Sequence, residues 1–133
     1  MTYPQYRYVT IYLRVQEPDG DPVRGAAVYI DGEPIDGLTA GRWYRIDDDG
    51  PPEWQGWLHN WAVHDLAVRI DRRNQVRELD LEVAKDGWGS RSTTIRVRDS
   101  DPEHMYVRVK FTLGVDALAV QPSEPEYLRP ATR

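Results

Sequence analysis

Cysteine is missing from all 133 positions, which excludes a disulfide framework and a thiolate metal site and fits a reducing compartment. No apolar run approaches the roughly 20 residues that span a bilayer. The opening Met1-Thr2-Tyr3-Pro4-Gln5-Tyr6-Arg7 has no basic stretch followed by an apolar one. Neither membrane insertion nor a signal peptide is expected, so the expected location is the cytoplasm, or release as part of an assembly. Basic blocks are lacking too. The formal charge is -5 with both signs interspersed, which removes the electrostatic footprint of a nucleic-acid binder. Phenylalanine occurs once, against five tryptophans and eight tyrosines. The large aromatics therefore nearly all carry a polar handle, a bias seen at interfaces and sheet rims.

What is present is alternation. Val9, Ile11, Leu13 and Val15 form one face of a strand whose other face shows Tyr8, Thr10, Tyr12 and Arg14. Leu79, Leu81 and Val83 alternate, then Ile95 and Val97, then Met105, Val107, Val109, Phe111 and Leu113. Strand side chains point to opposite faces every second residue, so this pattern buries one face and wets the other. Turn signals separate the runs: Asp19-Gly20, Asp31-Gly32, Asp47-Asp48-Asp49-Gly50, Lys85-Asp86-Gly87 and Asp99-Ser100-Asp101-Pro102. Asp31-Gly32 reads as a two-residue hairpin turn, and Pro34 marks the returning piece as an edge. Leu66, Val68 and Ile70 are expected to pair with residues 76–83 across a polar loop. The expected fold is an all-β antiparallel sandwich of seven or eight strands over residues 1–113, with 114–133 an extended C-terminal tail.

Three stretches carry a family resemblance. The run from Val15 through Asp19-Gly20-Asp21-Pro22-Val23-Arg24-Gly25-Ala26-Ala27-Val28 links two strands through a Gly/Pro turn. Leu38-Thr39-Ala40-Gly41-Arg42-Trp43-Tyr44 sets a threonine before a Gly-Arg-aromatic step, and Leu79 to Trp88 ends a strand on a Gly-aromatic turn. Together they resemble the carboxypeptidase regulatory-like, or transthyretin-like, β-sandwich family. The resemblance implies a non-enzymatic accessory module: a folding aid, a ligand or glycan platform, or a structural piece. The chain departs from that family at 50–65, where a tryptophan-rich insertion replaces a short connection.

In that insertion Trp54, Trp57, Leu58 and Trp61 fall at i, i+3, i+4 and i+7, the spacing of one face of a short helix. Two readings follow: a cap over one open end of the sandwich, or an exposed platform for a partner protein or a sugar ring. His59 and His64 are five apart and share no helical face, so no catalytic or zinc set is expected. No nucleophile, base and orienting group recur at a useful spacing. Asp47, Asp49 and Glu53 are weak calcium candidates that lack the full loop pattern, and no cofactor is expected. Candidate binding residues are Trp54, Trp57, Trp61 and His59 in the insertion, Tyr8 and Tyr12 on the first strand, Tyr106 and Arg108 on the last, and Tyr127 in the tail. The expected role is a structural or adaptor module in a homo- or hetero-oligomeric protein assembly, of the kind a virion, phage tail or injection machine contains. Carbohydrate binding by the tryptophans is the alternative.

Overall fold

Period-two burial fixes the architecture. The computed structural model describes residues 2–114 and 121–130. Its strands are β1 (Gln5–Gln16), β2 (Ala27–Ile30), β3 (Glu33–Leu38), β4 (Tyr44–Arg45), β5 (Leu58–His59), β6 (Trp61–Ile70), β7 (Val76–Lys85), β8 (Gly89–Arg98), β9 (His104–Thr112) and β10 (Glu126–Leu128). One sheet runs β10-β9-β1-β6, a second runs β3-β2-β7-β8, and β4 with β5 forms a separate ribbon. The aliphatic faces of β1 and β9 meet those of β2, β7 and β8 in one core that includes Ile11, Leu13, Phe111, Leu81 and Ile95. The protein is an all-β sandwich. The strands beyond the expected seven or eight are the two-residue β5 and the three-residue β10. Among the described residues no helix is long and apolar enough to cross a membrane.

Three arrangements differ from the sequence reading. β1 and β9 lie parallel, in register from Tyr8 opposite His104 to Gln16 opposite Thr112. They stand at opposite ends of the sandwich's chain, so no hairpin dictates their direction, and the second sheet supplies the crossover that parallel neighbours need. β6 and β7 do not pair. Their connection steps from one sheet to the other, because both strands must turn an apolar face into the same core. The side-chain carbonyl of Gln75 accepts the Asp71 N–H (2.6 Å) and holds that step.

The third is a parity switch in β6. The pairing with β1 slips between Val9 opposite Leu66 and Ile11 opposite Val63. The extra residue lies in β6, where Asp65 adopts φ 57°. Trp61 and Val63, before the bulge, and Leu66, Val68 and Ile70, after it, therefore all meet the main core. Without the bulge one group or the other would face away.

The connections are sealed by two buried polar side chains. Asn60 continues the β1 ladder where β6 stops: its Oδ1 accepts Val15 N–H (2.8 Å) and its Nδ2 donates to Val15 O (2.9 Å), Val23 O (3.1 Å) and Ala40 O (3.2 Å). The Thr39 hydroxyl donates to Val23 O (2.6 Å) and accepts Ala26 N–H (2.9 Å).

The expected extended tail contributes a strand. β10 adds antiparallel to β9, with Tyr127 opposite Val107. Residues 115–120 and 131–133 of that tail lie outside the described residues.

Candidate functional site

The insertion does not bring its three tryptophans onto one helical face. It makes one 3-10 turn, Pro52–Trp54, then runs into β5 and β6. Gly56 (φ 87°), between Trp54 and Trp57, interrupts the helical spacing that Trp54, Trp57 and Trp61 suggest. Trp61 belongs to β6 and sits in the main core, its indole N–H directed at Gly37 O (3.3 Å). Trp54 instead closes a second, smaller core with Tyr12 and Ile46 on the outer face of the first sheet. Trp57, Ala62, Tyr106 and Leu128 pack around that core.

Cations clamp this cover. The Arg108 guanidinium lies 4.6 Å from the Trp54 ring centroid and 5.4 Å from that of Trp57. Arg14, on the neighbouring strand, lies 4.5 Å from Trp57. Such contacts contribute about 0.5–2 kcal/mol each when sheltered from water. Two like charges sit close here, and burial together with Arg108 lowers the Arg14 pKa. The repulsion is offset by Arg14 Nε donating to Leu58 O (2.9 Å) and by Arg108 pairing with Glu126 of β10 (2.7 Å). Trp54, Trp57, Tyr106 and Arg108 are thus brought together, but as an internal stack and not as an open platform. β1 is consequently buried on both faces over residues 9–13, where alternation predicts a wet outer face.

The remaining expected residues divide. Tyr8 stacks on His104 (ring centroids 5.2 Å apart, planes at 23°), a cross-strand pair between β1 and β9. Tyr127 turns inward against the main core, and its hydroxyl accepts the Arg96 N–H of edge strand β8 (3.0 Å). It joins the two sheets and is not part of an open surface. Glu53 is exposed on the 3-10 turn and does not line the hollow that Asp47 and Asp49 share. The Asp47 carboxylate accepts the Asp49 N–H (3.0 Å), an ordinary turn bond. Asp47, Asp49 and Glu53 therefore do not converge as calcium ligands. Among the described residues only Glu17, Asp19 and Asp21 bring three ligand oxygens within 4.8 Å. There Asp19 Oδ1 accepts the Asp21 N–H (3.0 Å), and the group closes the turn after β1.

The open site lies beside the cover, where the β4–β5 ribbon meets β6 and the end of β3. Tyr44 of β4 and His59 of β5 face each other at 6.0 Å and divide two hollows. One, about 270 Å³, is lined by Tyr12, Arg45, Asp47, Asp49 and His64. The other, about 320 Å³, is lined by Leu38, Trp61 and Ala62. Both share Tyr44 and His59. Leu38 is 63% exposed and Tyr44 41%, enough to offer an apolar rim to a partner.

His59 is the unusual member. Its Nδ1 is buried and, among the described residues, has no hydrogen-bond partner. Burial and then the neighbouring His64 hold its pKa below the ordinary 6.5, with the Trp61 backbone and Asp47 opposing this in part. Tyr12 touches both imidazoles edge-on, at 5.2 Å from His59 and 5.7 Å from His64. Burial, then Tyr106, Asp47 and Asp49, push the Tyr12 pKa up. The sequence sets His59 and His64 five apart but gives no sign of Leu38 or Tyr44 as their neighbours, because β3 and β4 reach the site from earlier in the chain.

Comparison of the chain with protein-family models, with curated proteins and with solved structures returns no match in any of the three.

Proposed function

We propose that the protein is a non-catalytic β-sandwich module that joins a protein assembly, with the Leu38–Tyr44 rim as a contact face. The observation that carries this reading is the placement of two large exposed side chains around two hollows at a junction of sheet edges. Apolar anchors beside pockets are where interfaces concentrate their binding energy. β3 and β6 end their sheets on this side, so a partner meets main-chain groups as well. A transthyretin-like kinship, and a setting such as a virion, phage tail or injection machine, belong to the same proposal. They rest on the three turn motifs and on analogy of architecture.

The test is light scattering of the whole chain across a concentration series, with Leu38→Asp and Tyr44→Ala as probes. The expected result is a mass that rises with concentration in the parent, with association weakened at least tenfold in each variant. A parent that holds monomer mass throughout, or variants that associate as the parent does, would count against this face.

One observation favours a second reading. The smaller hollow sets a half-exposed tyrosine ring beside Asp47 and Asp49, an aromatic face next to hydroxyl-binding carboxylates. Carbohydrate binding is therefore proposed at Tyr44, Asp47, Asp49 and His59, and not at the clamped tryptophans. Calorimetric titration with a glycan panel decides it. Heat that persists after Tyr44→Ala would place any sugar elsewhere.

A further inference from the structure

The C-terminal strand is held by a short main-chain ladder and by its side chains. β10 contributes only three residues of ladder, Glu126 to Leu128 opposite Arg108 to Tyr106. Its side chains then act in alternation. Tyr127 goes inward to the main core and its hydroxyl takes the Arg96 N–H. Leu128 goes outward to the core around Trp54, and Glu126 pairs with Arg108. On one side of the strand, Ser123 exchanges two bonds with Lys110, its N–H donating to Lys110 O (2.9 Å) and its hydroxyl accepting Lys110 N–H (2.8 Å). On the other, Arg129 Nε donates to the Asp101 carboxylate (2.7 Å), which is itself buried. A short strand that reads a sheet edge by main-chain bonds and by alternate pockets is the pattern of strand addition between chains.

The connection to β9 has far more length than this docking requires. Beyond β9, Leu113 and Gly114 stay buried, with Leu113 N–H on Gln16 O, and Ser123 already lies beside Lys110, so eight residues, 115–122, cover a return that neighbouring antiparallel strands make with about two to five. Eight residues reach about 26 Å when extended. The groups that receive 121–130 all belong to the sandwich at 2–112, so the same contacts form whichever chain supplies the segment. What favours the chain's own segment is its tethered local concentration, of millimolar order.

We propose that 121–130 is an exchangeable strand whose other occupant site is the β9 edge of a second copy of this chain. Copies linked this way form a reciprocal pair or run head to tail, according to the rotation between them. The inference rests on the assembly reading and names the partner, yet it uses a different surface from the Leu38–Tyr44 rim.

The absence of cysteine makes a clean test possible. One preparation carries Tyr106→Cys and another Leu128→Cys, two positions that face each other across β9 and β10. Opposed antiparallel residues stand about 4.5–5.5 Å apart at Cα, within reach of a disulfide. The two are mixed at high concentration under mild oxidation. Dimers of unlike copies are expected in at least tenfold excess over dimers of like copies. A single chain carrying both substitutions is the control, and it closes on itself.

No excess of unlike dimers, when the control closes readily, overturns the proposal. So does a control that fails to close, since β10 then does not occupy this edge. If the partly buried positions disturb folding, Lys110→Cys with Ser123→Cys gives an independent pair. A chain that associates in light scattering without unlike cross-links keeps the assembly reading and loses strand exchange. A chain that cross-links while Leu38→Asp leaves association untouched keeps the exchange and loses the rim.

Discussion

Replacing Asn60 tests the logic that holds the insertion to the sandwich. Asn60 is 2% exposed, and its amide takes the place of a strand partner for Val15. Alanine there removes the acceptor of the Val15 N–H and the Nδ2 donor to Ala40 O. Val15 O and Val23 O keep other donors, from Val23 N–H (3.0 Å) and the Thr39 hydroxyl (2.6 Å). One orphaned buried N–H costs about 1–3 kcal/mol, and the emptied volume adds to that. A loss of about 2–4 kcal/mol is expected, or roughly 10 °C in Tm for a domain of this size. Asn60→Asp goes further, because an ionised carboxylate would face three carbonyl oxygens. Such an aspartate has a raised pKa in the folded state. The folded state then binds more protons than the unfolded one, and stability falls as pH rises through about 4 and beyond. Urea unfolding followed by tryptophan fluorescence, repeated between pH 4 and 8, reads both effects. A loss under about 1 kcal/mol for alanine, or an aspartate variant no more pH-dependent than the parent, would refute the bridging role.

Two further changes probe separate parts of the structure. A Cβ at Gly50 would collide with Ile46 Cγ2 and crowd the Tyr12 hydroxyl at 3.1 Å, so Gly50→Ala is expected to cost about 1–3 kcal/mol in thermal unfolding and to loosen the Trp54 cover. Tyr3 donates its hydroxyl to Asp99 (2.8 Å); burial and then this bond raise the Tyr3 pKa, and the same bond lowers that of Asp99. Asp99 then contributes stability that is present above about pH 4 and lost as pH falls through its folded pKa. Tyr3 contributes stability that is present below about pH 10 and lost as pH rises through its folded pKa. Tyr3→Phe should flatten the alkaline arm of a Tm-against-pH curve and weaken the acid arm; an unchanged profile would exclude this bond as a source of either.

Local signals foretold local structure well. Asp31 and Gly32 take φ 52° and 80°, as a two-residue hairpin turn requires, and Ile30 pairs with Glu33 across it. Pro34 lies in β3, an edge strand of its sheet. The Lys85-to-Trp88 turn joins β7 to β8, closed by Trp88 N–H to Lys85 O (2.9 Å). Signals that span several elements misled. Helical spacing from Trp54 to Trp61 has no counterpart in the backbone, since Pro52 begins a single turn and Asn60 already belongs to the β1 ladder. The parity switch at Asp65 also escapes the pattern, because one bulge reverses which residues of β6 face inward.

The chain alone determined which residues alternate, where turns break them, and hence that two aliphatic layers bury a common core. Those are properties of neighbours within a few residues, set by backbone sterics and the aversion of aliphatics to water. Tertiary structure decided that β1 lies parallel to β9, that Arg14 and Arg108 clamp Trp54 and Trp57 over an outer face, and that Tyr44 and His59 stand between two hollows, one lined by Leu38 and the other by His64. These depend on contacts between segments far apart in sequence, where a residue's surroundings follow from the packing of the whole chain rather than from its own type.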